Sequence, residues 1–206
     1  MASNAPGVCC TKIDALHEGT PAGSLISLYN NESVYVTGEK QSSKVIVIAT
    51  DIFGNHLQNV KLIADAFAAK GYYALHEDLK PEFVGLIGYC FGAKFVAQQL
   101  TETGYGSVGA LAHPSFVTIE EVAAIKKPVI ISAAEVDSIF TRELRYQTEE
   151  KLVEIGADFQ IDLFAAKGKI THGFAVRGDI SDKDIKHAKE QAFQDQLAYF
   201  EHYNKA

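Results

Sequence analysis

Apolar positions along the chain fall into two alternating rhythms. Short unbroken runs, such as Val45-Ile46-Val47-Ile48-Ala49 and Phe83-Val84-Gly85-Leu86-Ile87, have the length and character of buried strands, the first β-branched throughout its core and of the kind buried on both faces. Between such runs, apolar residues recur on one helical face, as at Leu62, Ile63, Ala66, Phe67 and Ala69 within Val60–Lys70, a stretch stopped by Gly71. This reading predicts further strands at Tyr72–Leu75, Val108–Ala112, Val129–Ala133 and Phe159–Phe164. It predicts further helices at Ala93–Leu100, Ile119–Ile125 and Thr141–Ile155, and a last one from Ser181, as N-cap, to Tyr203. Two short apolar runs around Asn30-Asn31, within Leu25–Val36, predict an antiparallel hairpin. Residues 1–24 are small and polar, an irregular arm on a single domain spanning 1–206. Strands alternating with helices give an α/β class, with a mostly parallel central sheet covered by helices on both faces. In such sheets the ligand crevice lies at the carboxyl ends of the strands.

Composition narrows the class of function. The chain is 47% hydrophobic and 22% charged, which suits a globular domain. A net charge of -7 argues against a nucleic-acid or anionic-membrane partner. No apolar run approaches the roughly 20 residues of a membrane span. Met1–Val8 has neither a basic nor an apolar signal region. The three cysteines, Cys9, Cys10 and Cys90, make no disulfide framework, and an odd count with a candidate reactive thiol fits a reducing compartment, the cytoplasm. Cys9-Cys10 has no further cysteine to complete a zinc set, so no metal site is expected.

Candidate chemistry gathers where strands end. Gly88-Tyr89-Cys90-Phe91-Gly92 stands between the strand at Phe83–Ile87 and the helix that follows, the context of a G-x-S-x-G nucleophile elbow with Cys in the Ser position. Small neighbours let strand and helix approach closely, and the helix N-terminus favours a thiolate. Asp137 follows the strand at Val129–Ala133, and His172 follows the strand at Phe159–Phe164. The order nucleophile, acid, base is that of α/β-hydrolases. Here His172 would take the thiol proton, and Asp137 would hold the imidazole tautomer. His113 also follows a strand and is either a pocket wall or a structural contact. His17, His56, His76, His187 and His202 lie on arms or polar helix faces and are expected to stay outside the chemistry.

Taken together, Val45–Gly54, Gly-Tyr-Cys-Phe-Gly-Ala at 88–93, Asp137 and His172-Gly173-Phe174 resemble the dienelactone hydrolase family, carboxymethylenebutenolidase-like α/β-hydrolases, and its fungal members most closely. The resemblance implies the α/β-hydrolase fold and a Cys90-His172-Asp137 triad. It further implies an oxyanion hole from the backbone N–H groups of Ile52 and Phe91. In the bacterial members an acidic residue, Glu, contacts the resting thiol where Asp51 stands here, and the shorter Asp51 reaches less far. Those members also use arginines to hold a substrate carboxylate, and Arg177 stands near one such position.

One departure concerns the stretch between Tyr72–Leu75 and Phe83–Ile87. The family has a long crossover there, with a helix and pocket-lining residues, whereas only His76–Glu82 joins the two strands here. A parallel connection ordinarily needs a dozen or more residues. Either the two strands are not both parallel neighbours, or the chain lacks a segment its relatives possess. The second is the reading adopted, as an alternative form or a sequence in which a stretch has been closed up. The expected activity is hydrolysis of a small ester, lactone or thioester through a cysteine acyl-enzyme, with no cofactor. The expected partner is a small-molecule carbonyl substrate, and the expected state a monomer or homodimer. The rivals are a non-catalytic binding protein of the same fold and a redox-responsive thiol protein.

Overall fold

The computed structural model describes residues 15–28, 31–74 and 81–204. Cys9, Cys10, His76, Leu75 and most of the arm at 1–24 lie outside them. The hairpin forms from β1 (Ser24–Leu28) and β2 (Asn31–Val36), paired antiparallel as a small sheet of its own. The main sheet has six strands, all parallel, in the order β4-β3-β5-β6-β7-β8. They are β3 (Lys44–Ala49), β4 (Tyr73–Ala74), β5 (Phe83–Tyr89), β6 (Val108–Ala112), β7 (Val129–Ala134) and β8 (Phe159–Phe164). The helices are α1 (Gln58–Ala68), α2 (Gly92–Gln99), α3 (Ile119–Ala123), α4 (Arg142–Glu154), α5 (Phe174–Arg177) and α6 (Lys183–Tyr203). This is the α/β-hydrolase architecture.

The two-residue period of the strands sorts their side chains into two cores. Ile87, Tyr89, Ala110, Ala112 and Ile130 face one side, with Phe67 of α1 and Ala188, Ala192 and Phe200 of α6. Leu86, Leu111, Val129, Ile131 and Ala133 face the other, with Ala93 and Val96 of α2, Val122 of α3 and Leu152 of α4. Each fully buried Ile or Leu contributes roughly 1.5–3 kcal/mol through the hydrophobic effect. The three central strands are thereby fixed, and so are the loops at their carboxyl ends.

The structure departs from expectation in four places. β3 is buried only at Val45 and Ile46, the two residues that β4 pairs with among the described residues, and the rest of the strand is partly exposed. β4 and β5 are both parallel to β3 and flank it on opposite edges, so the two strands are not neighbours, while residues 75–80 between them lie outside the described residues. The cap of α6 is Asp182, whose carboxylate accepts from the Asp184 amide, whereas Ser181 lies outside the helix and donates its amide to Asp179. The short α5 follows directly on His172 and had no periodic signal, since four residues are too few to show one.

Candidate active site

Cys90 sits at the turn from β5 into α2 with φ 53, in the left-handed region that non-glycine residues rarely adopt. Its neighbours explain how the turn is tolerated. A Cβ on Gly88 would lie 2.4 Å from the Cα of Ala93, and one on Gly92 would lie 2.0 Å from the carbonyl oxygen of Ala49. Only glycine lets the elbow press against its own helix and against the end of β3. The Cys90 amide donates to Ala112 O of β6, and Cys90 O accepts from the Ser115 amide at 2.9 Å. The thiol is fully buried.

Asp137 and His172 belong to loops after β7 and β8 that the backbone zips together. Val136 and Thr171 form a parallel bridge, the Val136 amide donates to Ile170 O, and the His172 amide donates to Val136 O. Glu135 braces the same loop pair from outside by accepting from the Ala166 and Gly168 amides. Across this bridge His172 Nδ1 lies 2.8 Å from Asp137 Oδ2, with both side chains almost wholly buried. The other oxygen, Asp137 Oδ1, accepts from the amides of Ile139 and Phe140 at 2.9 and 3.0 Å, which fixes the carboxylate plane. The far ring nitrogen, His172 Nε2, lies 3.3 Å from Ser115 Oγ, and that hydroxyl lies 3.3 Å from Cys90 Sγ.

The structure thus brings Cys90, His172 and Asp137 into one buried cluster and adds Ser115, which the sequence reading passed over. The signal for Ser115 was available. It follows β6 by three residues, at the same carboxyl edge of the sheet as the other three. The loop that delivers it is contorted, with His113 at φ 38 and Phe116 at φ 61. An imidazole with one nitrogen on a carboxylate and the other on a hydroxyl that reaches the thiol can accept a proton from that side and return it.

The flanking residues are arranged differently from expectation in part. Asp51 lies against Arg177, with Oδ2 2.9 Å from Nε in a buried ion pair. Burial pushes the Asp51 carboxyl above its ordinary range, while the Phe53 amide and the Arg177 charge pull the other way. Arg177 is itself buried and stands over the Phe53 ring at 5.6 Å. His113 is fully buried, 5.1 Å from the His172 ring and 5.7 Å from Phe174. Neither of its ring nitrogens has a hydrogen-bond partner among the described residues. Burial, and then the neighbouring His172 and Arg177, hold it well below the usual imidazole range, so it is a neutral wall. His17, expected on a free arm, is instead buried with Nε2 3.0 Å from Gly178 O. The backbone amides of Ile52 and Phe91 donate to no other described residue. No group of His, Cys, Asp and Glu among the described residues could hold a metal ion. No described helix is long and apolar enough to cross a membrane.

Neither of two cavities among the described residues is lined by Cys90. The larger, about 570 Å³, runs along β2 and β3 to Thr50 and Asn55. The smaller lies between α1 and α6.

Comparison with known proteins gives this arrangement a family. The dienelactone hydrolase family model matches residues 32–80 and 76–204. The hydrolase PyvD of Aspergillus violaceofuscus is 33% identical over 250 aligned positions that cover 100% of both chains. Dienlactone hydrolase 1 of Gibberella moniliformis is 31% identical, covering 91% of this chain and 90% of its own. Among solved structures, a protein of Klebsiella pneumoniae assigned as a dienelactone hydrolase superposes with a TM-score of 0.70 at 13% identity, over 87% of this chain and 97% of its own. The two segments matched by the family model meet at residues 76–80, in the crossover from β4 to β5. The 250 positions aligned with PyvD exceed the 206 residues present, so that relative carries residues this chain lacks. With the family model matched on both sides of the crossover and the relatives aligned nearly end to end, the chain belongs to the dienelactone hydrolase family and is a hydrolase of that type.

Proposed function

We propose that the protein hydrolyses a small ester, lactone or thioester through an acyl-enzyme on Cys90. One observation carries this reading, the unbroken line of contacts from Cys90 Sγ through Ser115 Oγ and the His172 ring to Asp137 Oδ2. In the first step Sγ bonds to the substrate carbonyl carbon, and its proton passes to His172, directly or through Ser115. The carbonyl oxygen becomes an oxyanion facing the free amides of Ile52 and Phe91, donors that need no reorganisation. The carbon–oxygen or carbon–sulfur bond to the leaving group then breaks, and His172 returns the proton to it. Water, deprotonated by the same ring, attacks the thioester and releases the carboxylic acid. Asp137 keeps the ring proton on Nδ1 and stabilises the imidazolium. Arg177 is already paired with Asp51, which favours a neutral acyl group over a carboxylated one.

Pre-steady-state hydrolysis of a chromogenic acetate ester, read together with intact mass, tests the proposal. A burst with one added acetyl group in wild type, absent in Cys90→Ala, is the expected result. The abbreviated crossover favours a second reading, a binding protein that keeps the fold without turnover. Absence of acylation in a folded wild-type chain would select that reading.

A further inference from the structure

The smaller cavity, about 260 Å³, lies on the α1–α6 side of the sheet, and its lining includes none of Cys90, Asp137 or His172. Leu62, Ile63, Ala66 and Phe193 give it apolar walls, against which water finds few partners. Lys189, Gln196 and Tyr89 line it as well, beside His17, Glu190 and Gln194. Gln196 is 1% exposed, its Nε2 donates to Ser132 Oγ, and its Oε1 has no hydrogen-bond partner among the described residues. Tyr89 is 2% exposed. Among the described residues, the one acceptor recorded for the Lys189 ammonium is the Ala175 carbonyl at 3.0 Å, leaving its remaining donors unmatched. Lys189 is half-buried and forms no ion pair with a carboxylate among the described residues, and a buried acceptor without a donor, Gln196 Oε1, is costly. Sharing one apolar cavity, they describe a ligand.

We propose that this cavity is a second, non-catalytic binding site for a small aromatic hydroxycarboxylate. The carboxylate pairs with Lys189, the ring lies against Phe193 and Leu62, and the hydroxyl donates to Gln196 Oε1. Lys189 and Gln196 are seven residues apart on one face of α6, about 10 Å along its axis. The donor must therefore stand well away from the anion, as it does across a benzene ring. A cavity of 260 Å³ holds a single ring with its substituents and little more. Burial lowers the Lys189 amine to about 8, so it is still mostly charged at neutral pH and gains strongly from an anion placed beside it.

The test is calorimetric titration of 4-hydroxybenzoate into the full chain after carbamidomethylation of Cys90, which keeps the probe out of the reactive site. Saturable one-to-one binding is expected, weakened about tenfold or more in Lys189→Met, as loss of a desolvated charge pair predicts. Benzoate should bind several-fold less tightly than 4-hydroxybenzoate to wild type, and Gln196→Leu should erase that preference while leaving benzoate binding in place. Thermal melts of both variants establish that they are folded. No binding by folded wild type at millimolar probe overturns the proposal, and so does equal binding by Lys189→Met. A hydroxyl preference that survives in Gln196→Leu overturns the assigned orientation.

Discussion

Ser115 Oγ and His172 Nε2 lie 3.3 Å apart, on the side of the imidazole that faces the Cys90 thiol. The hydroxyl can donate in one direction while accepting in the other, so it can pass the thiol proton to the ring without leaving its place. Its own position is locked by the Ser115 amide on Cys90 O. Ser115→Ala removes this link and leaves the triad partners in position. The expected result is a fall in acylation rate of about 10²-fold, within the usual range for a proton-transfer contribution, with little change in KM. The pH profile of Cys90 alkylation by iodoacetamide should also move upward, because the thiolate loses a donor. An unchanged profile and rate would make Ser115 a packing residue.

Asp137 has its two oxygens committed differently, and this decides the outcome of Asp137→Asn. The Oδ1 position accepts two backbone amides, so the asparagine oxygen must take that place and its NH2 group must face His172 Nδ1. Nδ1 is then forced to accept, and the ring proton moves to Nε2, where it can no longer take a proton from Ser115 or Cys90. Turnover is expected to fall by about 10⁴-fold with the fold and substrate binding retained. Measuring kcat and KM for the variant checks this. Glu135 cannot substitute, since its carboxylate is held by the Ala166 and Gly168 amides.

Gly92 joins the elbow to the end of β3. Its missing Cβ leaves room for Ala49 O, and Ile52, whose amide is a proposed oxyanion donor, lies three residues further on. Gly92→Ala must push β3 and α2 apart, because the obstructing atoms are backbone and cannot rotate away. Destabilisation of about 1–3 kcal/mol is expected, as for other overpacked sites. Activity should be lost beyond what unfolding explains, since the two donor amides separate. Urea melts and activity at a temperature where the variant is fully folded distinguish the two effects.

The central strands were legible in the sequence because they are apolar on both faces, and the elbow because its glycines are needed for local close approach. Cys90 and Asp137 were nameable for the related reason that each closely follows such a strand, and His172 because it lies in the loop after β8 at the same edge of the sheet. Ser115 follows β6 as closely as Asp137 follows β7, but a serine after His113-Pro114 carries no motif signal, and the bond from its amide to Cys90 O is what sets it beside the thiol. The Asp51–Arg177 pair was hidden because it joins residues far apart in sequence across the end of the sheet. The short spacing between the strand at Tyr72–Leu75 and the strand at Phe83–Ile87 was legible as an oddity. Its resolution needed the strand order, which places β3 between β4 and β5.

Lys189 gives a prediction about pH. Its folded value, about 8, lies below the ordinary 10.5, with burial as the main cause and Glu190 opposing it. Below pH 8 the amine is protonated in both states, and the folded protein bears the cost of a buried charge, about 3 kcal/mol before compensation. Between about 8 and 10.5 the unfolded chain holds more protons than the folded one, so this group makes stability rise with pH. Of the other titratable groups lining its cavity, His17 shifts downward and Tyr89 upward, both through burial. Lys189→Met removes the charge and also the bond to Ala175 O, which is worth about 1 kcal/mol. The variant should therefore be more stable than wild type near neutral pH, and the advantage should shrink steadily above pH 8 and vanish or reverse beyond 10.5. Denaturant melts of both proteins across that interval measure the difference directly. A gap that stays constant with pH would mean that Lys189 reaches solvent in the folded state and that its burial has no energetic consequence.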